Sequence, residues 1–159
     1  MTFKTADLCD SHGENVQIAE PMFADFGGNI AFYGQISTVK CFEDNSLVRD
    51  AFGTPGEGRV LVVDGGGSLR RALIGDQVAA FGKDNGWAGA IVNGCIRDSA
   101  EIGGIGIGLK ALATHPLRTV KKGIGERDVP VHFAAVTFTP GHYVYGDEDG
   151  IIVSPTPLI

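Results

Sequence analysis

The middle of the chain reads RVLVVDGGG at residues 59–67, LIGDQVAAFGKDNG at 73–86 and AGAIVNG at 88–94. The first and last of these segments are short apolar runs of the kind that forms buried strands. The segment between them predicts a loop that opens a helix at Asp76 and ends near Gly86. A strand, a helix and a second strand in this order predict a parallel βαβ unit, and therefore an α/β fold.

The flanking segments add helices, antiparallel strands and turns to this unit. The predicted elements are a short helix within 3–11, one or two strands within 27–42, a helix over 44–53 capped by Asn45 or Ser46, a turn at 54–58, an irregular glycine-rich stretch over 101–116, and three strands within 129–155. Turns at Pro140-Gly141 and Asp147–Gly150 would separate the last three strands. We therefore expect one compact α/β domain with mixed sheets over residues 1–159.

Composition narrows the class of function. Apolar residues make up 43% of the chain and charged residues 20%, as in a globular protein with a packed core. The net charge of −6 argues against direct nucleic-acid binding, which depends on many contacts from Lys and Arg to phosphates. The sequence has no membrane-length apolar run and no signal-peptide pattern. Because the three cysteines stand singly, we expect reduced thiols and a cytoplasmic protein.

Two glycine-containing loops are candidates for anion binding. Asp64 and the three glycines after it follow a predicted strand, where a loop can cradle an anion or simply form a tight turn. Gly75-Asp76-Gln77-Val78 stands where a helix should begin, and helix N-termini offer free backbone amides. Asp76 could cap that helix, or the amides could bind a substrate carboxylate while the Asp76 side chain serves another purpose. Local sequence leaves both alternatives open.

Arg97 and Asp98 follow the last strand of the predicted βαβ unit. They would lie at the carboxyl edge of the sheet, where open α/β sheets bind ligands. Arg is suited to forked recognition of a carboxylate, and Asp is an oxygen ligand for Mg²⁺, which takes one or two carboxylates and keeps several waters. The alternative is a surface ion pair that contributes about 0–1 kcal/mol.

A longer pattern connects these residues. The run VVDGGGSLRRALIGDQVA…GWAGAIVNGCIRD, together with GIGERDVPVHFAAVTFTPGHYVYGDEDGIIVSP and the N-terminal TADLCD, resembles the RraA-like family over nearly the whole chain. That family includes the regulator of RNase E activity and the class II 4-hydroxy-4-methyl-2-oxoglutarate aldolases. Asp76, a twenty-residue interval and Arg97-Asp98 fit the pattern of the aldolase-type members, and Glu101 fits an acid found shortly after the pair.

The resemblance implies a swivelling β/β/α fold, assembly as trimers or pairs of trimers, and a site in a cleft between subunits. It also implies aldol cleavage to pyruvate, decarboxylation of oxaloacetate, and a divalent cation, Mg²⁺ or Mn²⁺. Members most similar to the RNase E regulator keep the Arg but lack the following Asp. Since Asp98 is present, the resemblance places this chain with the metal-competent members.

The same resemblance implies a role for each residue of the pattern. Asp98 would bind the metal, and Arg97 would lie against the keto oxygen of a small oxo-acid substrate. The backbone amides from Gly75 through Gln77 to Val78 would bind the substrate carboxylate. Asp76 would orient a water that exchanges a proton with the substrate.

Other functions remain open from the sequence. The chain could be a non-catalytic inhibitor that binds RNase E, since an acidic surface suits the basic regions of that ribonuclease. It could also act on some other oxo acid. Arg70 and Arg71 could meet a distal substrate carboxylate, but exposed arginines on a helix surface are the simpler interpretation.

Overall fold

Residues 2–159, the part of the chain that the computed structural model describes, form four helices and twelve strands. The helices are α1 (Thr5–His12), α2 (Ser46–Phe52), α3 (Asp76–Asp84) and α4 (Ser99–Ile102). The first six strands are β1 (Gln17–Ile18), β2 (Ala24–Asp25), β3 (Phe32–Lys40), β4 (Val60–Asp64), β5 (Ala72–Ile74) and β6 (Gly89–Ile96). The last six are β7 (Gly108–Thr114), β8 (Glu126–Arg127), β9 (Val131–Phe133), β10 (Val136–Phe138), β11 (Tyr143–Asp147) and β12 (Gly150–Ser154).

One large mixed sheet organises the molecule. Its main path runs β1-β12-β11-β3-β4-β6-β7-β2, and β5 and β8 attach to β6 and β3. Strands β3, β4, β6 and β7 are parallel neighbours, and the outer strands are antiparallel. The predicted mixed α/β fold is confirmed, and so is the parallel unit, since β4 and β6 are paired directly and α3 connects them.

The parallel strands are buried on both faces. On one face α2 and α3 cover the sheet, and the Phe52 and Trp87 rings lie 5.5 Å apart in that layer. On the other face the β9–β10 hairpin contributes Phe133 and Phe138, with ring centroids 4.6 Å apart. Because both layers hold the strands rigidly, the loops at their carboxyl ends start from fixed positions.

Most of the predicted elements are present, but the strand β5 (Ala72–Ile74) occupies the start of the segment predicted as a loop before Asp76. The helix predicted over 44–53 is α2, which stops before Gly53 as expected. Four strands rather than three occupy 129–155, because Ala134 and Ala135 turn the chain with φ values of 52° and 62°. Non-glycine residues seldom adopt this conformation, so the sequence carried no turn signal there. None of the described helices has the length and apolar character of a membrane span.

The prediction of irregular structure over 101–116 is wrong for most of that segment. α4 ends at Ile102, and β7 then runs from Gly108 to Thr114 beside β6. The glycines suggested loops, but Gly108 is required for packing: a Cβ there would lie 2.1 Å from the Phe32 ring. A glycine demanded by a close ring contact looks the same in sequence as a glycine demanded by a turn.

Candidate active site

A cavity of about 530 Å³ opens at the carboxyl ends of β5 and β6. Its walls come from the start of α3, from Arg97 and Asp98, from Asn45 and Arg49 at α2, from Ala72, and from the segment 118–121. This volume is within the range of small-molecule sites. All the residues assigned a role by the sequence pattern, from Gly75 to Val78 and at Arg97 and Asp98, line this cavity.

The start of α3 is built around Gly75. This residue occupies the N-cap position in extended conformation, and α3 begins at Asp76. Asp76 therefore does not cap the helix, contrary to the first of the two alternatives. Its Oδ1 instead accepts a hydrogen bond of 2.8 Å from the Gln77 amide. The carboxylate lies within the first turn, where the positive end of the helix dipole stabilises it.

Arg97 and Asp98 follow the end of β6 and lie beside the start of α3. The Arg97 amide donates to the Ile74 carbonyl at 2.9 Å, which ties the pair to the residue before Gly75. Asp98 then adopts a left-handed conformation with φ 58° and ψ 41°. In this conformation its Oδ2 accepts a hydrogen bond of 3.0 Å from the Asp76 amide. The structure therefore brings Asp76, Arg97 and Asp98 together, as the resemblance to the RraA-like family implies.

The absence of a side chain at Gly75 makes this contact feasible. A Cβ at Gly75 would lie 2.8 Å from Asp98 Oδ2 and 3.5 Å from Arg97 Nε. The backbone φ of Gly75 is −111°, which any residue can adopt. Glycine is needed here for space rather than for backbone freedom.

The first amides of α3 already bind carboxylates. Asp98 occupies the Asp76 amide, and Asp76 occupies the Gln77 amide. These are the amides expected to donate hydrogen bonds to a substrate carboxylate. In this structure they donate to the protein's own carboxylates instead. The contacts do show that this helix terminus attracts carboxylate oxygens, as the dipole and the free amides predict.

Positive charge is concentrated around the cavity even though the chain is acidic overall. Four cationic side chains line it against two carboxylates, Asp76 and Asp98. The cations are Arg49, Arg97, Arg118 and Lys121. None of the four forms an ion pair among residues 2–159. A local excess of unpaired cations in a cleft favours an anionic ligand.

The sequence analysis missed the segment 118–121. It is fixed by a buried contact in which the Thr119 hydroxyl donates to Asn45 Oδ1 at 2.8 Å. Nearby, the Asp44 carboxylate accepts bonds from the amides of Lys122 and Ile124, and from both the amide and the hydroxyl of Ser46. No local motif signals such contacts, because they join segments far apart in the chain.

These bonds determine the ionisation of Asp44. Burial alone would raise the pKa of this carboxyl group, but the hydrogen bonds from Ser46, Ile124 and Lys122 outweigh it and lower the pKa to about 2. The carboxylate is thus charged at neutral pH and holds the segment 118–124 against the start of α2.

The glycine-rich loop after β4 lies outside the cavity. Asp64 Oδ1 accepts bonds from the Gly66 amide at 3.0 Å and from Asn93 Nδ2 at 3.1 Å. Gly66 and Gly67 have φ values of 68° and 73°. The loop is therefore a tight turn closed by Asp64, the simpler of the two interpretations, and its residues do not line the cavity.

Arg70 and Arg71 also lie outside the cavity, in the loop before β5 rather than on a helix. Arg70 pairs with Glu43 at 2.9 Å, and Arg71 donates to the Arg118 carbonyl at 3.0 Å. The hydrogen bond from Ser68 and the bond from Arg70 lower the pKa of Glu43. Arg70 is exposed, as predicted, whereas Arg71 is half-buried. The prediction that both residues lie on a helix surface is wrong.

The carboxylate oxygens at the start of α3 are the type of ligand that a hard divalent cation such as Mg²⁺ accepts. Among residues 2–159, no three His, Cys, Asp or Glu side chains converge as a metal cluster. Asp98 is exposed, and its Oδ2 is held by one amide. Mg²⁺ and Mn²⁺ accept oxygen ligands, and Mg²⁺ commonly takes one carboxylate and keeps waters in its other positions. An exposed carboxylate such as that of Asp98 could hold such an ion.

Comparison with known proteins gives the family. A sequence model for RraA-like proteins, described as Aldolase/RraA, matches residues 5–153. The chain belongs to the RraA-like family. The family expected from the pattern around Asp76 and Arg97-Asp98 is thereby confirmed.

Relatives of high similarity carry one name. A protein of Alkalilimnicola ehrlichii, named as a candidate 4-hydroxy-4-methyl-2-oxoglutarate aldolase, is 58% identical over 159 residues, which cover 100% of this chain and 99% of that protein. A protein of Azotobacter vinelandii with the same name is 59% identical over 158 residues, covering 99% and 98%. Neither alignment leaves a substantial part of the RraA-like chain unmatched.

Solved structures with the same fold carry different names. A Geobacillus kaustophilus protein, named S-adenosylmethionine:2-dimethylmenaquinone methyltransferase, has a TM-score of 0.96, 50% identity, and coverage of 98% of this chain and 97% of its own. The RNA-processing inhibitor RraA from Thermus thermophilis has a TM-score of 0.96 and 43% identity, with coverage of 100% and 96%. Proteins with this fold therefore carry names for three different functions, and only the chemistry of the site can distinguish between these functions.

Proposed function

We propose that this RraA-like protein is a divalent-metal-dependent lyase that cleaves 4-hydroxy-4-methyl-2-oxoglutarate, or a related 4-hydroxy-2-oxo acid, to pyruvate and a second oxo acid. The observation that carries the proposal is the convergence of Asp76 with Arg97 and Asp98 at the N-terminus of α3. The names of the relatives at 58–59% identity agree with it.

Asp98 would hold the cation, Mg²⁺ or Mn²⁺, with waters completing its coordination. The cation would supply Lewis-acid stabilisation of the negative charge that develops on the substrate keto oxygen as the carbon–carbon bond breaks. Arg97 would contribute to the same stabilisation, because its guanidinium can donate to that oxygen. This interaction strengthens as charge develops, which is the condition for lowering the barrier rather than merely binding substrate.

The substrate carboxylate next to the keto group would bind the first amides of α3. To do so it would replace Asp98 Oδ2 at the Asp76 amide, where the bond is now 3.0 Å. That exchange would free the Asp98 carboxylate for the cation. Binding of substrate and of metal would therefore support each other at one helix terminus.

Asp76 would orient the water that transfers the proton of the C4 hydroxyl group. Its carboxylate is fixed by the Gln77 amide at the cavity wall, so it can orient a water toward the substrate. That water would accept the proton of the C4 hydroxyl during cleavage and return a proton to the departing pyruvyl carbon. Loss of CO₂ from oxaloacetate develops the same charge on the same keto oxygen, so one site would catalyse both reactions.

A methyltransferase activity is a poor match for this cavity. S-adenosylmethionine carries a sulfonium cation, whereas the cavity presents four cationic side chains against two carboxylates. Like charges in a cleft disfavour such a cofactor. An oxo acid is an anion, so its charge is complementary to the cationic side chains of the cavity.

Pyruvate release tests the proposal. The protein is incubated with 4-hydroxy-4-methyl-2-oxoglutarate or with oxaloacetate in Mg²⁺, and pyruvate is measured with and without EDTA. A blank with Mg²⁺ alone corrects for the loss of CO₂ that free divalent ions promote. Pyruvate formation that stops on chelation supports the proposal, and formation that continues at the same rate in EDTA contradicts the metal role.

A second function is favoured by the similarity to the RNA-processing inhibitor of Thermus thermophilis. In this alternative the chain binds RNase E through its acidic surface and modulates RNA processing. A pull-down of RNase E by the native chain, with a charge-reversed variant such as Glu101→Lys as control, tests it separately from pyruvate release.

We also propose that the functional unit is a homo-oligomer, a trimer or a pair of trimers. Exposed apolar side chains next to the cavity support it, since Phe42 is 57% exposed, Val120 53% and Ile124 64%. Apolar side chains grouped in this way commonly mark interfaces. Light scattering on the eluting protein measures the assembly, and a monomer at micromolar concentration would contradict this part of the proposal.

A further inference from the structure

The part of the cavity beyond the α3 terminus has no role in the chemistry above. The pyruvyl unit uses the α3 amides, Arg97 and Asp98, which together form one wall of the cavity. The remaining wall consists of Asn45, Arg49, Ala72 and the segment 118–121. This second wall carries three cations and no carboxylate.

Arg118 differs from the other two cations of that wall. The Arg49 guanidinium lies over the Phe81 ring at 5.7 Å, so it is already engaged with a neighbour. Lys121 is a flexible point charge without a fork of donors. Arg118 is exposed, has neither an ion pair nor an aromatic partner among the described residues, and borders the cavity.

The backbone on both sides of Arg118 is fixed. The Ala72 amide donates to the Leu117 carbonyl at 2.7 Å, and Arg71 donates to the Arg118 carbonyl at 3.0 Å. Thr119, the next residue, is buried against Asn45. A guanidinium carried by an anchored backbone loses less freedom on binding than one on a mobile loop, and can therefore select a ligand.

We propose that Arg118 is a specificity-determining residue that binds the second carboxylate of the substrate, the one remote from the keto group. The inference rests on the proposed function for the orientation of the substrate, with its pyruvyl end at α3. Arg–carboxylate pairs are strong because the fork can donate two parallel bonds. The site would accordingly take oxo acids with a carboxylate at both ends and discriminate against those with an apolar end.

Two ligands of equal chain length test this without any turnover. 2-Oxoglutarate carries the second carboxylate and 2-oxopentanoate lacks it. The affinities of both for the native chain are measured by calorimetry in Mg²⁺. We expect the native chain to bind 2-oxoglutarate about tenfold more tightly or better, as a charge-assisted hydrogen-bonded pair provides.

Variants assign the preference to Arg118. Arg118→Gln should remove most of the tenfold preference while changing the affinity for 2-oxopentanoate by less than about twofold. Arg118→Lys should retain part of it, because charge remains without the fork. Arg70→Gln, a substitution of another exposed arginine outside the cavity, should leave both affinities unchanged.

The outcomes separate this inference from the proposed function. Equal affinities of the native chain for the two ligands, including no binding of either, would overturn the inference, as would an unchanged preference in Arg118→Gln. A preference that depends on Arg118, in a protein that releases pyruvate neither from 4-hydroxy-4-methyl-2-oxoglutarate nor from oxaloacetate, would support the inference and contradict the proposed lyase.

Discussion

The Asp76 amide donates to Asp98 Oδ2 at 3.0 Å, and this contact joins the start of α3 to the end of β6. Asp98 reaches the amide because its backbone is left-handed and because Gly75 leaves space beside it. The proposed metal ligand and the proposed carboxylate site are therefore one hydrogen bond apart.

Gly75→Ala tests the space beside Asp98. The new Cβ would lie 2.8 Å from Asp98 Oδ2, so the carboxylate has to move. We expect kcat for pyruvate release to fall by about 10²-fold, because a displacement near 1 Å at a reacting centre has that effect. Thermal unfolding should show a stability loss of no more than about 1 kcal/mol, since the alanine replaces a glycine N-cap without backbone strain.

Gly106→Ala is the matched control for that variant. Its Cβ would meet the Lys83 side chain at 3.6 Å, an ordinary contact, and neither residue lines the cavity. Its kcat should equal that of the native protein. A Gly75→Ala protein that is as active as Gly106→Ala would show that the contact between Asp98 and the α3 terminus has no part in catalysis.

Arg97→Lys tests the forked donor. Lysine keeps the charge but places a single ammonium where the guanidinium would reach the keto oxygen. We expect kcat to fall by about 10²–10³-fold, the range for loss of one donor to a developing oxyanion, with a smaller change in KM. Steady-state kinetics on 4-hydroxy-4-methyl-2-oxoglutarate measure this. A change confined to KM would mean that Arg97 only binds the substrate.

The lowered pKa of Asp44 leads us to expect a loss of folding stability in acid. Its pKa is lowered in the folded chain from 3.8 to about 2, so its stabilising effect is complete above pH 4 and is lost as pH falls through about 2. At pH 7, Asp44→Asn should unfold with a free energy about 1–2 kcal/mol lower than the native chain, allowing for solvent screening.

Denaturant unfolding of the native chain and Asp44→Asn at several pH values checks this. The difference between the two should shrink steadily from pH 4 to pH 2, because over that range the unfolded native chain takes up a proton at Asp44, whereas the folded chain does so only near pH 2. Asp50→Asn, an exposed substitution on α2, is the control and should show little difference at any pH. A difference between native and Asp44→Asn that stays constant down to pH 2 would contradict the assignment.

The sequence predicted the parts of the site that local pattern controls. A strand, a helix and a strand gave the parallel unit, and parallel strands end at one edge of the sheet. That reasoning applies to β4 and β6, whereas the short strand β5 was predicted as a loop. The 2.9 Å bond from the Arg97 amide to the Ile74 carbonyl, which brings Gly75 beside Arg97 and Asp98, therefore came from the structure. The family pattern then identified which of those residues mattered.

The second wall of the cavity could not be predicted in this way. Arg118 and Lys121 stand in a segment without regular periodicity, and its position depends on Asp44 and Asn45, which lie more than seventy residues earlier. β7 was missed for a related reason, since its glycine, Gly108, serves packing against Phe32 and not a turn. Long-range contacts of this kind leave no mark in a short window of sequence.

The central claim is that Asp98 makes this cavity a metal-dependent lyase site, and Asp98→Asn tests it most directly. Asparagine tolerates the left-handed backbone and keeps an oxygen for the Asp76 amide, so folding should be preserved. The measurement is the rate of pyruvate release from 4-hydroxy-4-methyl-2-oxoglutarate in saturating Mg²⁺, with unfolding temperature as the control. The account predicts a normally folded variant whose rate is lower by about a hundredfold or more, since the charge that holds the cation is gone. A folded Asp98→Asn protein that releases pyruvate at the native rate would contradict it.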